Sequence, residues 1–265
     1  MFETIVYSLE DGVATIRLDR HARHNTIDRR MHAELPLAWA RFDRDPDAIV
    51  AIVTGTGEST FCAGADMADL PPLDRDTAPG HDAVRWTGLQ NRVWKPVICA
   101  VNGLTVGGGL HFVADADIVI ASETATFCDT HVSVGLVAGL EPVSLARRMP
   151  IEAVLRMALV GRGERMSAAR ALATGMIGEV VEPARLMARA QEIATMVAAN
   201  CPSAMAATKK AIWGAKEMPL SGALENAWRA ILDHNEGPDF SEGIAAFLER
   251  RPPRWQRLHR EREHD

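Results

Sequence analysis

The sequence has no long apolar run and no marks of a secretory leader. No stretch approaches the ~18 consecutive apolar residues that a membrane-spanning helix requires. Residues 1–12, MFETIVYSLEDG, do not place a basic segment before an apolar one, so we expect no secretory signal. We therefore expect a cytoplasmic protein that has no membrane partner.

A basic excess and paired cysteines are missing as well. The formal charge is −6 and the isoelectric point is about 5.9, so no broad basic face is expected and nucleic acid is not an expected partner. The chain has 4 cysteines with no C-x-x-C pair, which argues against a metal site or a disulfide framework and fits a reducing compartment. We expect Cys62 and Cys128, which lie near the motifs below, to act as small packing residues.

What is present is typical of a globular protein. Of the 265 residues, 47% are apolar and 24% are charged, which suits one large domain with a smaller appendage. Alternation of buried strands with helices predicts an α/β core, and the helical pattern that follows predicts an appendage near residue 200. We place the core at 1–199 and the helical region at 200–265.

Local patterns predict the order of the elements. Two β-rich runs flank Asp11-Gly12 and predict a hairpin. Asp28 is a candidate cap for a helix that ends near residue 44. Continuous apolar runs predict buried strands, and a segment rich in Pro, Gly and Asp predicts a loop. The main predicted elements are strands 4–9, 13–19, 48–54, 97–101, 117–121 and 125–128, the loop 71–80, and helices 28–44, 81–94, 183–199, 203–215, 220–235 and 240–250.

Two glycine-bearing segments each follow a predicted buried strand. They are 61–67, FCAGADM, and 101–110, VNGLTVGGGL. Glycine permits positive φ and a close approach of the backbone to a ligand. A helix that begins there presents free N–H groups and the positive end of its dipole. Each segment alone is compatible with a simple tight turn, whereas two such loops brought together form an anion or oxyanion site.

Together with other segments, these motifs resemble the crotonase (enoyl-CoA hydratase/isomerase) superfamily. FCAGAD is similar to the family's F-x-A-G-A-D, and VNGLTVGGG to its strand, N-G and G-G-G helix start. The further similar segments, in the family's order, are RLDRHARHNTID at 17–28, ATFCDTHVSVGLV at 125–137, SAARALATGMIGEVVE at 167–182 and DFSEGIAAFLERRPPRW at 239–255.

The resemblance implies a fold and a type of substrate. The fold would be a spiral of ββα units with a C-terminal helical trimerisation region, and the trimers of this family often pair into hexamers. The substrate would be an acyl-CoA thioester, with coenzyme A as part of the substrate and no separate cofactor. The backbone N–H groups of Ala65 and Gly108 would form the oxyanion hole that holds the thioester oxygen as it becomes enolate-like.

The resemblance also implies residues that bind coenzyme A. Ala63, Gly64, Asp66 and Met67 would line the path of the adenine and pantetheine groups. Arg23 lies at the family's usual basic position and would approach a phosphate of coenzyme A, the alternative being a solvated surface arginine. Residues 68–90 would wall the acyl pocket.

The pattern departs from a hydratase at both catalytic positions. A hydratase of this family uses one glutamate after the G-G-G helix start and another in the F-x-x-P-E segment. Here those positions hold His111, in GGGLHF, and His131, in FCDTHV. A single buried histidine is usually structural, but two on both catalytic positions favour a working site over a dead one. Imidazole titrates near neutrality and its cation would stabilise an enolate.

Two carboxylates near these histidines are further candidates. Glu141 lies in a turn where some family members with other chemistries carry an acidic residue, so it is a third catalytic candidate. Its alternative role is to cap the following helix, with Pro142 as the first helical residue. Asp129 would orient His131 if residues 129–131 form a strand, in which positions i and i+2 share a face, but not if they form a bend. Surface solvation is the alternative for Asp129.

Three functions remain open on this basis. The leading one is a lyase of fatty acid metabolism, similar to an enoyl-CoA hydratase/isomerase, in which a thioester enolate is stabilised. The second is a hydrolase of the same superfamily that cleaves a β-diketone C–C bond or a thioester with His131 and Glu141. The third is a non-catalytic member that binds coenzyme A or RNA.

Overall fold

The fold begins with the predicted hairpin. In this computed structural model, which describes residues 2–70 and 83–258, β1 (Ile5–Glu10) pairs antiparallel with β2 (Val13–Leu18). The connecting turn has φ values of 48° at Asp11 and 80° at Gly12. Two consecutive residues with positive φ match the twist of a hairpin, which explains the Asp-Gly pair. The predicted loop 71–80 lies outside the described residues.

The larger sheet has six strands in the order β1-β2-β3-β5-β7-β10. Its further members are β3 (Val50–Gly55), β5 (Val97–Val101), β7 (Ile118–Ser122) and β10 (Glu179–Val181). Every pairing after the hairpin is parallel. The continuously apolar runs that predicted buried strands are confirmed, because β3 and β5 are buried at every position.

A smaller sheet has four strands in the order β4-β6-β8-β9. These are β4 (Thr60–Cys62), β6 (Leu104–Val106), β8 (Thr126–Cys128) and β9 (Met166–Ser167). The first three run parallel, and β9 is antiparallel to β8. Each of β3, β5 and β7 in the large sheet is followed by a partner in the small sheet, which is the repeated strand pair of a spiral α/β fold.

Helices fill both faces of the large sheet. Side chains on one face of the strands, such as Ile52 and Ile98, pack against α6 (Leu186–Ala198). Alternate positions, such as Val53 and Cys99, face the main core together with α1 (Arg29–Arg44). Parallel strands covered on both faces must be apolar throughout, which the sequence of β3 satisfies.

Helix α1 begins where the sequence predicts. The Asp28 carboxylate accepts a hydrogen bond from Met31 N at 2.8 Å, so it caps the helix. Leu35 and Phe42 on the predicted apolar face are fully buried. The short helices of the spiral are α2 (Leu110–Asp115), α3 (Leu140–Leu145), α4 (Ile151–Val160) and α5 (Ala168–Ala173).

Three helices follow the spiral: α7 (Pro202–Gly214), α8 (Leu220–Asn235) and α9 (Pro238–Glu249). Buried Lys209 on α7 ties them to the core, because its Nζ lies 2.9 Å from the Lys95 carbonyl and 2.8 Å from an Asp117 carboxylate oxygen. Trp228 on α8 and Phe247 on α9 are exposed. The division at residue 200 and the role of these helices in assembly stay predictions.

The predicted helix over 81–94 is wrong for its described part, since residues 83–94 form turns. The Asn91 amide donates to the carbonyls of Arg85, at 2.8 Å, and Thr87, at 2.7 Å. Arg92 has a φ of 54°, which an α-helix excludes.

Within the described ranges, no helix is both long and apolar enough to cross a membrane.

Candidate active site

The two glycine-bearing loops meet at one edge of the small sheet. β4 and β6 are parallel neighbours, so the loops that follow them leave at the same edge. A Cβ atom at Gly64, which has a φ of 86°, would lie 2.9 Å from the Val106 carbonyl and 3.2 Å from the Gly108 nitrogen. A Cβ atom at Gly108 would lie 3.6 Å from the Ala65 nitrogen. The predicted oxyanion amides therefore lie side by side, and glycine is needed for this approach.

The Ala65 amide is left free by the way its loop is anchored. Ile27 N donates to the Gly64 carbonyl at 2.8 Å, and Asp66 N donates to the Ile27 carbonyl at 2.9 Å. This parallel bridge uses the groups on either side of Ala65, so its own N–H points to the opposite side. Among the described residues, nothing accepts a hydrogen bond from Ala65 N. Gly108 lies in the first turn after β6, where helical N–H groups lack partners within the helix.

Asn25 fixes the base of the same loop. It is fully buried, and its side-chain amide donates to the carbonyls of Thr56, Thr60 and Phe61 at 2.9 to 3.1 Å. Its side-chain oxygen accepts from Arg20 N at 3.0 Å. Asn25 thus joins residues 20–27 to the strand that leads into the loop of Gly64 and Ala65.

His111 occupies the first turn of α2 and is 2% exposed. Its Nδ1 lies 3.1 Å from Gln90 Nε2, and its Nε2 lies 3.3 Å from Glu141 Oε1. The Trp86 ring packs edge-on against the imidazole, with ring centroids 5.6 Å apart. Both ring nitrogens therefore have polar partners, and an aromatic wall holds the ring in place.

The wall itself is tied to α1. Trp86 Nε1 donates to His32 Nδ1 at 2.9 Å, and the Trp86 carbonyl accepts from Trp39 Nε1 at 2.7 Å. Burial lowers the pKa of His32 below its ordinary value of 6.5. Only an unprotonated Nδ1 can accept a hydrogen bond from the indole N–H of Trp86. The lowered pKa of His32, which favours the neutral ring, is consistent with this bond.

His131 follows β8 and faces Asp129. Its Nδ1 lies 2.7 Å from Asp129 Oδ1, and the same oxygen accepts a hydrogen bond from the His131 backbone N–H at 3.0 Å. Residues 129–131 are not a strand, so the condition that we set for this contact is wrong. The contact forms through a tight Asx-type turn, in which a side chain reaches the backbone two residues on. Surface solvation of Asp129 is wrong as well, because its exposure is 0%.

Asp129 affects the pKa of His131. The hydrogen bond that the Asp129 carboxylate accepts from His131 Nδ1 is the largest cause that raises the pKa of His131 above 6.5. Burial opposes this rise, and the nearby carboxylates of Glu141 and Asp129 add to it. The second Asp129 oxygen, Oδ2, is buried without a hydrogen-bond partner in the described part of the chain.

Glu141 lies between the two histidines. It is in the first turn of α3 and is 6% exposed. Its Oε1 is 3.3 Å from His111 Nε2 and 3.9 Å from His131 Nε2. The alternative that Glu141 caps this helix is wrong, because the cap position is Gly139 and no side chain caps the helix. The structure thus brings all three predicted catalytic side chains together.

The residues predicted to bind coenzyme A differ in their surroundings. Ala63 and Gly64 belong to the loop described above, Met67 is 60% exposed, and Arg23 is exposed in a single helical turn. The Asp66 carboxylate instead contacts the chain, with Arg20 at 3.1 Å and Thr26 at 3.2 Å. The binding roles of these residues stay predictions.

Trp86 and Gln90 are the site residues that sequence reasoning missed. Both lie in the segment wrongly predicted as a helix, and part of the predicted pocket wall, 71–82, lies outside the described residues.

The four cysteines are buried free thiols, and burial raises the pKa of Cys62 to about 12, so it is not a nucleophile at neutral pH. In the described ranges, no group of three or more His, Cys, Asp or Glu side chains is suited to hold a metal ion.

Comparison with known proteins agrees with this architecture. The family model described as enoyl-CoA hydratase/isomerase matches residues 8–258. A crystal structure of an enoyl-CoA hydratase/isomerase from Mycobacterium paratuberculosis is 42% identical, with a TM-score of 0.88 over 97% of this chain and 99% of that one.

Two curated relatives match over nearly the full length. The (E)-benzylidenesuccinyl-CoA hydratase of Thauera aromatica is 37% identical over 94% of this chain and 97% of its own. The carnitinyl-CoA dehydratase of Escherichia coli is 34% identical over 97% of this chain and 99% of its own. The crotonase-like α/β fold predicted from the motifs is confirmed, and the chain belongs to the enoyl-CoA hydratase/isomerase family.

Proposed function

We propose that the protein catalyses the reversible addition of water to an α,β-unsaturated acyl-CoA thioester. The observation that carries this proposal is the position of Glu141 Oε1, 3.3 Å from one imidazole and 3.9 Å from another, in the fold that juxtaposes two free backbone amides. Relatives named as a hydratase and a dehydratase of CoA compounds support this choice of reaction.

The amides of Ala65 and Gly108 would hold the thioester oxygen. As water adds to Cβ, the electrons of the double bond move to this oxygen and produce an enolate. Donors directed at that developing charge stabilise the transition state more than the substrate, and each is worth about 10²–10³-fold in rate. The side-by-side position of the two amides supports this role.

Glu141 would be the base and His131 the acid. The Glu141 carboxylate takes a proton from water as the water oxygen bonds to Cβ, and the His131 imidazolium gives its Nε2 proton to Cα. The raised pKa of His131 favours the cationic form that this step needs. A distance of 3.9 Å is too long for a direct hydrogen bond between Glu141 Oε1 and His131 Nε2. In the proposed step one water oxygen would lie about 2.8 Å from both atoms.

A panel of thioesters tests the proposal. Purified protein is given enoyl-CoA and 3-hydroxyacyl-CoA substrates of several chain lengths and branching patterns, and hydration and dehydration are followed by the absorbance of the conjugated thioester. In D₂O we expect one deuterium at Cα of each hydrated product, because the added proton comes from a solvent-exchangeable group. Tight binding of coenzyme A thioesters without turnover of any of them would contradict the proposal and favour a non-catalytic member.

The matched control is Glu141→Gln, which keeps the shape of the side chain and removes its basicity. We expect kcat to fall about 10³-fold, within the range of general acid–base catalysis. Binding of a saturated acyl-CoA should change little, and the melting temperature should stay close to that of the wild type. Residual activity equal to that of the wild type would show that a contaminating hydratase, or another base, is responsible.

Hydrolysis remains the second candidate, and one observation favours it. The bond between Asp129 and His131 Nδ1 matches the arrangement in which a carboxylate orients a histidine that activates water. Cyclic β-diketones and simple acyl-CoAs are therefore added to the panel. Release of free thiol, or ring opening of the diketone, without hydration of any enoyl-CoA would replace the proposed reaction with hydrolysis.

A further inference from the structure

We propose that His111 is a positioning residue rather than a proton-transfer group: its Nε2–H holds Glu141, and Gln90 fixes the tautomer that makes this possible. This inference rests on the proposed function, in which Glu141 is the base. It assigns different tasks to the two histidines that replace the family's glutamates.

The orientation of the Gln90 amide follows from its two ends. Its Oε1 accepts hydrogen bonds from Trp86 N at 2.8 Å and from Thr87 N at 3.1 Å. The reverse orientation would point the amide NH₂ at two backbone N–H donors and leave all of them without acceptors. A backbone N–H can only donate, so the Gln90 oxygen must face Trp86 N and Thr87 N, and the NH₂ group must face His111.

The tautomer of His111 follows from that orientation. The Gln90 NH₂ group can only donate, so His111 Nδ1, at 3.1 Å, must accept and therefore carries no proton. A neutral imidazole then carries its proton on Nε2, which lies 3.3 Å from Glu141 Oε1. The ring thus donates to the carboxylate and fixes its direction.

A proton-transfer role does not fit these contacts. If His111 gained a proton at Nδ1 during turnover, its new N–H and the Gln90 NH₂ group would face each other as two donors. His111 is almost wholly buried, and the Trp86 ring packs against it, so the imidazole has no room to turn toward another acceptor. His131, in contrast, has a carboxylate at Nδ1 and an Nε2 without a hydrogen bond among the described residues.

Two substitutions separate positioning from proton transfer. His111→Gln places an amide NH₂ near the position of the imidazole Nε2 and keeps a donor to Glu141. His111→Asn is similar in polarity but reaches only as far as Nδ1, so it cannot contact Glu141. We expect kcat of H111Q to fall less than about tenfold and that of H111N about a hundredfold, the usual effect of a misplaced catalytic group. KM should change by less than about threefold in both variants, because the carboxylate acts in the transition state.

An NMR measurement tests the tautomer without any reference to turnover. Long-range ¹H–¹⁵N correlation of protein labelled at histidine reports which ring nitrogen carries the proton, and the His111 signals are assigned by their loss in H111Q. We expect the proton on Nε2 and none on Nδ1. The Gln90→Glu variant, which offers Nδ1 an acceptor, should shift the ring to a form protonated at Nδ1.

The outcomes separate the two proposals. Equal inactivity of H111Q and H111N with normal folding, or a His111 ring protonated at Nδ1 in the wild type, would overturn the positioning role. If the wild-type protein turned over no thioester, the proposed function would fail, and the tautomer measurement would still decide whether Gln90 and His111 hold Glu141 as inferred.

Discussion

The two histidines of the site both lie near Glu141 Oε1, and their surroundings differ. The His111 side chain is 3% exposed, with an amide at one ring nitrogen and Glu141 at the other. The His131 side chain is 22% exposed, with the Asp129 carboxylate at Nδ1 and an Nε2 that lies 3.9 Å from Glu141. An amide NH₂ at Nδ1 requires that nitrogen to accept and carry no proton, whereas a carboxylate there favours the imidazolium.

In the proposed mechanism the two histidines have different roles because the partners of their Nδ1 atoms differ. Each partner determines whether Nδ1 accepts or donates a hydrogen bond. Gln90 and Asp129 are these partners. They lie on different segments, so the two sides of the site can be changed one at a time.

Among the substitutions that test this comparison, the largest effect is expected at His131, when it receives the same change as His111. His131→Gln keeps a polar side chain of similar length but cannot transfer a proton, so we expect kcat to fall about 10²–10³-fold. The comparison therefore predicts opposite results for one substitution at two positions, small for His111 and large for His131. Steady-state kinetics of the two glutamine variants on the same enoyl-CoA measures this difference.

Equal losses of kcat in these two variants would contradict the different roles proposed for His111 and His131. A larger loss at His111 would reverse them and make His111 the proton donor. Thermal unfolding of both proteins serves as the control, since a decrease in activity that follows a decrease in melting temperature would report on folding rather than on chemistry.

A smaller effect is expected from Asp129→Asn, which removes the main cause of the raised pKa of His131. In the proposed mechanism the imidazolium is the acid, so activity in the hydration direction should be lost as pH rises through this pKa. In the variant the pKa decreases, and the alkaline limb of the kcat profile should move to lower pH. We expect kcat at the optimum to fall about tenfold, at the low end of acid–base effects because the ring remains.

The same substitution has a defined effect on stability. A histidine whose folded-state pKa is raised contributes stability below its unfolded pKa, near 6.5, and this contribution is lost as pH rises through the folded-state value. The difference in unfolding free energy between wild type and Asp129→Asn should thus be larger at pH about 5.5 than at pH about 8.5. Denaturant titrations at the two pH values measure it, and a pH-independent difference would exclude a charged bond to His131.

The smallest expected effect comes from His32, which contacts the Trp86 wall but neither reacting group. His32→Ala removes one hydrogen bond, so the free energy of unfolding should decrease by about 1 kcal/mol. The lowered pKa of His32 means that its contribution is present above the unfolded value of 6.5 and is lost as pH falls toward the folded value. Wild type and variant should therefore become more alike in stability below about pH 6, as denaturant titrations would show. A hundredfold loss of kcat would contradict the view that this wall only supports His111.

Local patterns in the sequence predict much of this structure. The Asp11-Gly12 turn, the Asp28 cap and the buried strand β3 follow from short-range rules, and each is confirmed. The proximity of His111, His131 and Glu141 required the family resemblance, because the three residues lie on separate elements and periodicity says nothing of their distance.

The errors have physical causes that a single sequence does not display. The segment 83–94 has helical spacing, but the Asn91 side chain occupies carbonyls that a helix would use, and the Trp86 carbonyl bonds to Trp39 instead. These contacts are tertiary, so Gln90 could not be recognised as the partner of His111. Strand geometry predicts the Asp129 contact for the wrong reason, because the contact depends on a two-residue turn.

The anchoring of the loop before Ala65 has a consequence for binding entropy. Residues 64 and 66 are bonded to Ile27, and Asn25 holds the carbonyls behind them, within the folded chain itself. Ordering a flexible residue costs about 1–2 kcal/mol, and here the cost falls on folding and not on the encounter with a thioester. We accordingly expect affinity for a thioester to decrease when the hydrogen bonds that hold residues 20–27 against this loop are removed.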